Sequence, residues 1–315
     1  MSIPATRHMS SDVASHLVGL RIDVDTHDGM KRGVPALLDL LRDAGVKGTF
    51  YLSMGPDNAG RAIFNVLRRP GFFTKMRRTG AAGVYGWRTV LSGTLLPARL
   101  IALALPDVAR RVTAEGHEAG VHAWDHRRWQ DKLLRLSDEE VTTQLCRGRT
   151  AFRKIFGADP RTFAAPAWFS DERALRLQEE FGLAYASDCR GSEPFLPVVG
   201  GAALATPQVP ATLPTLDEAL GDTHHDARAF YDSILDAASS AAWPVLTVHA
   251  ELEGGPYADD LRRFLREAAA RGVRPVPLGE LLAARRATGV PLPERPMGYG
   301  AVPGRHGTVF MPSEG

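Results

Sequence analysis

The feature that most constrains the fold is a regular alternation of strand-type and helix-type segments. Residues 18–25 alternate apolar and polar side chains, which is the period of a β-strand. The next segment, 34–44, has Pro35 near its start and Gly45 just after its end, an asymmetry typical of helices. About seven or eight strands, mostly separated by helices, favour a closed or nearly closed parallel α/β barrel over a sandwich.

The alternation continues to about residue 290, so we predict one barrel domain at 18–290. The predicted strands are 18–25, 47–53, 116–122, 182–188, 245–251 and 272–277, and the predicted helices are 34–44, 107–114, 137–156, 171–181, 227–241, 257–271 and 278–286. A length of 315 residues would allow two domains, but an α/β barrel reaches this size as one. Residues 1–17 are predicted to be an N-terminal extension, and the Gly- and Pro-rich residues 291–315 an irregular tail.

One stretch, 58–106, departs from the pattern. It contains eight Arg or Lys residues and no Asp or Glu, although the whole chain has a net charge of only +2. Basic side chains interleaved with aromatic and aliphatic ones are typical of an element at a membrane interface. We therefore predict a basic, amphipathic insertion that faces a lipid or membrane surface, the alternative being a solvated basic face around ordinary core aromatics. The residues expected to contact lipid are Phe72, Phe73, Arg77, Arg78 and Trp87.

Charge and hydropathy exclude two other classes of protein. The near balance of 38 basic and 36 acidic residues argues against a generally basic nucleic-acid-binding protein, so no nucleic-acid partner is expected. No apolar run approaches the roughly 20 residues that a spanning helix needs. Residues 1–17 also lack the pattern of a secretory signal. We expect a soluble or peripheral protein.

The first strand carries charged residues that predict chemistry. Arg21, Asp23 and Asp25 share one side of the strand, and in a barrel that side faces inward. Asp25 would lie nearest the C-terminal rim, where barrel enzymes build their active sites. Two inward carboxylates repel each other unless a cation lies near them. That cation is either a metal ion or Arg21, which would then form a purely structural salt bridge.

Three histidines follow later strands at the same rim. His122 and His126 are spaced i, i+4, so a helical turn would present both imidazoles to a divalent metal. One Asp and two His leave coordination positions open, as catalytic sites do. His249 ends another predicted strand and is a candidate general acid. The metal could be Zn, Mn or Co, since all three accept such ligands.

Together these residues resemble the polysaccharide deacetylase family of carbohydrate esterases. Its first motif supplies two Asp residues, its second has the form H-x-x-x-H, and a late motif supplies a His. The resemblance implies a distorted parallel (β/α) barrel with about seven strands. It also implies that Asp25, His122 and His126 bind one divalent metal ion, with Asp23 as base and His249 as acid.

The match is closer to a branch of deformylases within this family. It rests on Val18-Gly-Leu-Arg-Ile-Asp-Val-Asp-Thr26, Gly55-Pro-Asp-Asn58, Tyr85-Gly-Trp87, His122-Ala-Trp-Asp-His126, Ser187-Asp-Cys-Arg-Gly191, Leu213-Pro-Thr215 with Asp217-Glu218, and His249-Ala-Glu251 with Glu253-Gly254. The implied reaction releases formate from 4-deoxy-4-formamido-L-arabinose joined to undecaprenyl phosphate, a polyprenyl-phosphate-linked aminosugar. The implied place is the cytoplasmic face of the bacterial inner membrane, as a peripheral protein on an anionic surface. The implied role is in lipid A modification and polymyxin resistance.

The substrate-binding residues expected from this resemblance are Arg21, Asp57, Asn58, Tyr85, Trp87, Asp188, Arg190, Glu251 and Glu253. Two other functions stay open: an N-acetyl-sugar deacetylase of the same family, and a catalytically inactive protein that binds a membrane surface.

Two departures from the family pattern affect the assignments. The family usually has an R-x-P motif whose Arg orients the catalytic Asp, whereas this chain has Ala164-Ala-Pro-Ala-Trp168. Arg21 or Arg190 could take that role. The first motif is Asp-x-Asp rather than two adjacent Asp residues, so either Asp23 or Asp25 could be the base.

Overall fold

The computed structural model describes residues 17–58, 98–222, 226–305 and 307–313. Its strands are β1 (Leu17–Val24), β2 (Thr49–Ser53), β3 (Glu118–Ala123), β4 (Thr162–Phe163), β5 (Tyr185–Ala186), β6 (Leu196–Val199), β7 (Ala202–Ala203), β8 (Val245–His249), β9 (Arg274–Val276), β10 (Glu294–Gly300) and β11 (Val309–Pro312). Seven of them form a parallel sheet in the order β5-β4-β3-β2-β1-β8, with β9 also paired to β1. Every residue of β1 is buried, as expected for a central strand.

An extended segment at 208–213 joins the two ends of this sheet. The Val209 N–H donates to the carbonyl oxygen of Ala186 in β5 at 2.7 Å. At its other end, the Leu213 N–H donates to the carbonyl oxygen of Val245 in β8 at 3.1 Å. The ring of strands therefore closes through an irregular segment, which confirms the distorted (β/α) barrel.

Helices cover the outside of the barrel. They are α1 (Val34–Asp43), α2 (Pro106–Ala114), α3 (His126–Lys132), α4 (Asp138–Phe156), α5 (Glu172–Glu180), α6 (Leu216–Asp222), α7 (Ala227–Ser240), α8 (Ala258–Ala270) and α9 (Leu278–Ala287). The predicted helices agree with these bounds to within one or two residues, because clear end signals mark them. In α4, for example, Ser137 and Glu140 form a capping box, and Gly157 ends the helix with φ of 76°. The sequence did not predict α3 or α6.

The C-terminal tail is ordered, so the prediction of an irregular 291–315 is wrong for two segments. Strand β10 pairs in parallel with β6, and β11 pairs antiparallel with β10. With β7 they form a four-stranded sheet beside the barrel. The Tyr299 hydroxyl donates to the carbonyl oxygen of Ser170 at 2.7 Å and ties the tail to the barrel. Local Gly and Pro content could not show these distant partners.

The end of the predicted insertion also belongs to the barrel. The Ile101 N–H donates to the carbonyl oxygen of Gly55 at 2.8 Å, and the Ile101 side chain lies in the core. Residues 98–106 are therefore part of the barrel wall. Residues 59–97, with the predicted lipid contacts Phe72, Phe73, Arg77, Arg78 and Trp87 and with Tyr85, lie outside the described residues, as do 1–16. In the part of the chain that the structure describes, no helix combines the length and apolarity needed to cross a membrane.

Candidate active site

The C-terminal ends of β1, β3 and β8 bring the predicted site residues together. In β1 and just beyond it lie Asp23 and Asp25, His122 lies near the end of β3, and His249 ends β8. Strand β1 pairs directly with β8, so Asp23 is in register with His249. Parallel strands carry their C-terminal ends to one rim, which is why residues so distant in sequence meet there.

Asp25, His122 and His126 form the candidate metal centre. Their ligand atoms all lie within 4.8 Å of one another. Asp25 Oδ1 is 3.2 Å from His122 Nε2 and 3.4 Å from His126 Nε2. Asp25 Oδ1 is buried and has no hydrogen-bond partner among the described residues. A buried carboxylate oxygen facing two imidazole nitrogens fits a divalent cation, which would take up the uncompensated lone pairs.

Each histidine is held by its surroundings. The carbonyl oxygen of Ala164 lies 2.9 Å from His122 Nδ1 and can only accept, so the proton is on Nδ1 and Nε2 keeps its lone pair. Burial lowers the pKa of His126 to about 4, which keeps that imidazole neutral as a ligand must be. The two histidines do not share a helical turn, contrary to the sequence interpretation: His122 is in β3 and His126 begins α3.

Asp125 and Asn58 position the start of α3. Asp125 Oδ1 accepts the Arg128 N–H at 3.0 Å as the helix cap. Its Oδ2 accepts from Asn58 Nδ2 at 2.8 Å. Asn58, predicted to bind substrate, thus contacts the capping residue of the helix that carries His126. Asp57, another predicted substrate ligand, is 1% exposed and accepts the His27 N–H at 3.0 Å.

Arg21 holds Asp23 through two hydrogen bonds. Arg21 Nε donates to Oδ1 at 2.8 Å and Nη2 to Oδ2 at 2.7 Å, while Nη1 donates to the carbonyl oxygen of Ser187 at 2.5 Å. Burial would raise the pKa of Asp23, but Arg21 and His122 outweigh it, so the pKa is lowered. Arg190 pairs instead with Glu218. Of the two candidates for the missing family Arg, Arg21 occupies the position that orients Asp23.

His249 has an acidic partner that the sequence interpretation did not assign. Asp217 Oδ1, from α6, lies 3.6 Å from His249 Nδ1. Burial would lower the pKa of His249, but Asp217, Asp25, Asp23 and Glu253 raise it to about 9. The imidazolium is therefore the stable form near neutral pH, as a general acid requires. Asp217 belongs to the motif at 213–218, but its neighbours in the sequence do not indicate which side chain it contacts.

Glu251 and Glu253 both hydrogen-bond the backbone of the site. Glu251 Oε1 accepts the N–H groups of Asp25 and Thr26 at 3.1 and 2.8 Å. Glu253 is 1% exposed and accepts the His249 N–H at 2.8 Å and the Tyr231 hydroxyl at 3.1 Å. Burial raises the pKa of both carboxyls to about 7. These contacts fix the backbone that presents Asp25 and His249.

Asp188 is likewise withdrawn from the surface. It has 0% exposure, and Gln208 Nε2 donates to its Oδ2 at 3.3 Å. Burial raises the pKa of Asp188 to about 6. A side chain with no exposed surface is not available to a sugar hydroxyl in this structure, so its predicted substrate contact finds no support.

The segment that replaces R-x-P is unusual in its backbone. Ala167 and Trp168 have φ of 57° and 50°, the left-handed region that L-residues rarely adopt in succession. The Trp168 ring contacts three guanidiniums, with centroid distances of 5.6 Å to Arg21, 4.8 Å to Arg190 and 4.9 Å to Arg305. Such strain persists only where the surroundings impose it and is concentrated at functional sites.

Comparisons with known proteins agree with this geometry. Residues 24–186, about half of the chain, match the model of the polysaccharide deacetylase family. The chain belongs to the polysaccharide deacetylase family. It is 37% identical to the "probable 4-deoxy-4-formamido-L-arabinose-phosphoundecaprenol deformylase ArnD" of Shewanella sediminis, over 84% of this chain and 85% of that protein. It is 31% identical to the same-named protein of Wigglesworthia glossinidia brevipalpis, over 89% of this chain and 97% of that one.

A solved structure shows the same fold. The "putative polysaccharide deacetylase" of Mycobacterium smegmatis superimposes with a TM-score of 0.62 at 20% identity, covering 92% of this chain and 96% of that one. Polysaccharide deacetylases are metalloenzymes, and the Asp25–His122–His126 cluster is a site where this chain could hold a metal ion. The protein is a hydrolase that acts on an amide bond.

Proposed function

We propose that this protein is a metal-dependent deformylase that releases formate from 4-deoxy-4-formamido-L-arabinose linked to undecaprenyl phosphate. The observation that carries the proposal is the convergence of Asp25, His122 and His126 beside Asp23 and His249, in a chain that matches the deformylase relatives over most of its length. A divalent ion held by the first three residues would polarise the formyl carbonyl and lower the pKa of water. Zn, Mn and Co all suit such ligands.

Asp23 and His249 supply the proton transfers in this proposal. Arg21 keeps Asp23 ionised, so a carboxylate oxygen is ready to take a proton from the attacking water. With Nδ1 toward Asp217, the His249 imidazolium keeps its Nε2–H for the amine that leaves as the C–N bond breaks. General acid–base catalysis of this kind contributes about 10²–10⁴-fold.

The test is metal-dependent formate release from the lipid-linked formamidosugar. We expect activity to disappear after chelation and to return with one added divalent metal, and the N-acetyl analogue to release acetate much more slowly. His249→Gln should keep the metal and lose turnover by about 10²–10⁴-fold. Asp232→Asn, an exposed change on α7, is the matched control. Comparable release of acetate would instead favour an N-acetyl-sugar deacetylase, and binding without hydrolysis an inactive surface protein.

We further propose that residues 59–97 of the insertion predicted at 58–106 contact the anionic cytoplasmic face of the inner membrane, where the substrate's lipid would be anchored. The support is the basic, acid-free and aromatic composition of this stretch. The product would serve lipid A modification and polymyxin resistance. A flotation assay tests the contact: Phe72→Ala, Phe73→Ala and Trp87→Ala together should release the full chain from anionic vesicles, with neutral vesicles as control. Unchanged flotation would mean that another surface binds the membrane.

A further inference from the structure

A cationic cluster lies next to the catalytic groups but takes no part in the proposed proton transfers. Arg190, from the barrel, and Arg305, from the C-terminal segment, both contact Glu218 of α6. Glu218 directly follows Asp217, the partner of His249. A groove of about 600 Å³ opens beside Arg190 and is bordered by Thr212.

Charge in this cluster is not balanced. Arg190 Nη1 and Arg305 Nη1 each lie 3.5 Å from an oxygen of Glu218, at the outer limit of a hydrogen bond. Glu218 Oε2 also accepts the Thr215 N–H at 3.1 Å. Asp217 also acts on Arg190 but is paired with the His249 imidazolium, so the two guanidiniums and Glu218 leave one positive charge where Arg190 is only 7% exposed. Burial lowers the pKa of Arg190, and the charges of Arg305 and Arg21 add to this against the opposing effect of Glu218 and Asp217.

Donors in the same place lack partners. Each guanidinium has five N–H groups, and in the part of the chain that the structure describes, the side-chain hydrogen bonds of Arg190 and Arg305 go to Glu218. Trp168 Nε1 and Thr215 Oγ1 are buried and have no hydrogen-bond partner among the described residues. Buried polar groups are normally satisfied, so this concentration of donors indicates that a ligand with several acceptor oxygens completes the cluster.

We propose that Arg190 and Arg305 form the subsite that binds the phosphate group of the substrate. This inference rests on the proposed function and deepens it. A phosphodiester carries one negative charge, which matches the one positive charge left by the cluster. Arg recognises phosphate through paired N–H donors, and both guanidiniums contact the Trp168 ring, which restricts their movement.

The position of the cluster also suits this substrate. Carbon 4 of the sugar carries nitrogen, so its ring closes through the oxygen of carbon 5, and the amide and the phosphate lie at opposite ends of one six-membered ring. In the protein, Arg190, Arg305 and Arg21, which holds Asp23, all contact the Trp168 ring. On α6, Asp217 faces the acid and Glu218 faces the cations. The groups that act on the amide bond and the arginines that bind the phosphate would therefore lie next to each other.

Binding of undecaprenyl phosphate in detergent micelles to the full chain tests the subsite without requiring turnover. Removing one charged partner of a phosphate should weaken its binding by about 10–100-fold. We therefore expect Arg305→Ala to lower the affinity for undecaprenyl phosphate by this factor. Arg305→Lys should recover part of the lost affinity. The control is Arg295→Ala, which borders the same groove but pairs with Glu193 at 3.5 Å. Equal affinity of wild type and Arg305→Ala would overturn the proposal, provided that both have the same Tm.

A second measurement separates phosphate recognition from a structural effect on the site. The substrate is the methyl glycoside of the formamidosugar, which has no phosphate. Arg305→Ala should lower kcat/KM at least tenfold more on the lipid-linked substrate than on this glycoside. Equal losses on both would show that Arg305 acts by holding Trp168, against the proposal. Inorganic phosphate that binds the wild type as tightly as undecaprenyl phosphate would also contradict a lipid-linked source. If wild type releases no formate but the binding loss is seen, the subsite stands and the deformylase function fails.

Discussion

The pairing of His249 with Asp217 predicts how activity depends on pH. His249 donates a proton only in its charged form, so kcat/KM falls as the pH rises through its pKa, which is about 9. Asp217, Asp25, Asp23 and Glu253 all raise that pKa against the effect of burial. Asp217→Asn removes one of these charges and keeps the size of the side chain. The alkaline limb of the pH profile should therefore move to lower pH.

The size of the shift follows from the distance and the exposure. His249 Nδ1 and Asp217 Oδ1 are 3.6 Å apart. Two unit charges at that distance interact by about 1 kcal/mol in water and by about 5 kcal/mol at an effective dielectric constant of 20. The Asp217 side chain is 45% exposed, so solvent screens the pair and the lower figure applies. Since about 1.4 kcal/mol corresponds to one pKa unit, the limb should move to lower pH by about one unit.

The assay is kcat/KM for formate release from pH 6 to 10 with metal held constant. Asp232→Asn is the control, because this residue on α7 has a similar exposure of 51% and loses the same charge. The charges of Asp25 and Asp23 act equally in wild type and variant, so they cancel in the difference. A limb that stays in place in Asp217→Asn, or that persists in His249→Gln, would refute the assignment of His249 as the acid.

Three further predictions concern the metal, the base and the packing of the site. His126→Ala should lose the bound divalent ion, measured by metal analysis after dialysis, whereas a full complement of metal would contradict its role as ligand. Arg21→Lys keeps the charge but loses one of two hydrogen bonds to Asp23, and misplacing a catalytic group in this way should lower kcat by about 10²-fold with little change in KM. Gly33→Ala places a Cβ 2.0 Å from the Ala250 carbonyl oxygen and should lower the free energy of unfolding by about 1–3 kcal/mol, measured by urea denaturation.

The barrel could be predicted because its elements carry strong local signals. Helix α4 has a capping box at Ser137 and a left-handed Gly157, and both are visible in the sequence. Strand β4, by contrast, spans only Thr162–Phe163, too short for alternation to show. The tail strands β10 and β11 form by pairing with each other and with β6. Because β6 is distant in sequence, the local sequence of the tail does not predict these strands.

The proximity of the candidate metal ligands and the candidate acid could be predicted for a related reason. Asp25, His122 and His249 lie at or just beyond the ends of parallel strands, and such ends meet at one rim whatever the loops do. The spacing of His122 and His126 suggested a helical turn, yet a strand end and a helix start produce the same proximity. The sequence therefore indicated which residues are candidate ligands, but not the secondary structure that carries them.

Arg305 and Asp217 could not be found in this way, because irregular segments bring them to the site. The extended segment 208–213, which bridges β5 and β8, and the start of α6 at Leu216 together place Asp217 next to His249. Arg305 reaches Trp168 because β10 and β11 anchor the segment between them. Neither of these irregular segments has a hydrophobic periodicity that could be recognised in the sequence. Both residues act on charge: Asp217 on the acid and Arg305 on the proposed phosphate subsite. The strand ends therefore place the candidate metal ligands and the candidate acid, while the irregular segments place Asp217 beside His249 and Arg305 beside Trp168.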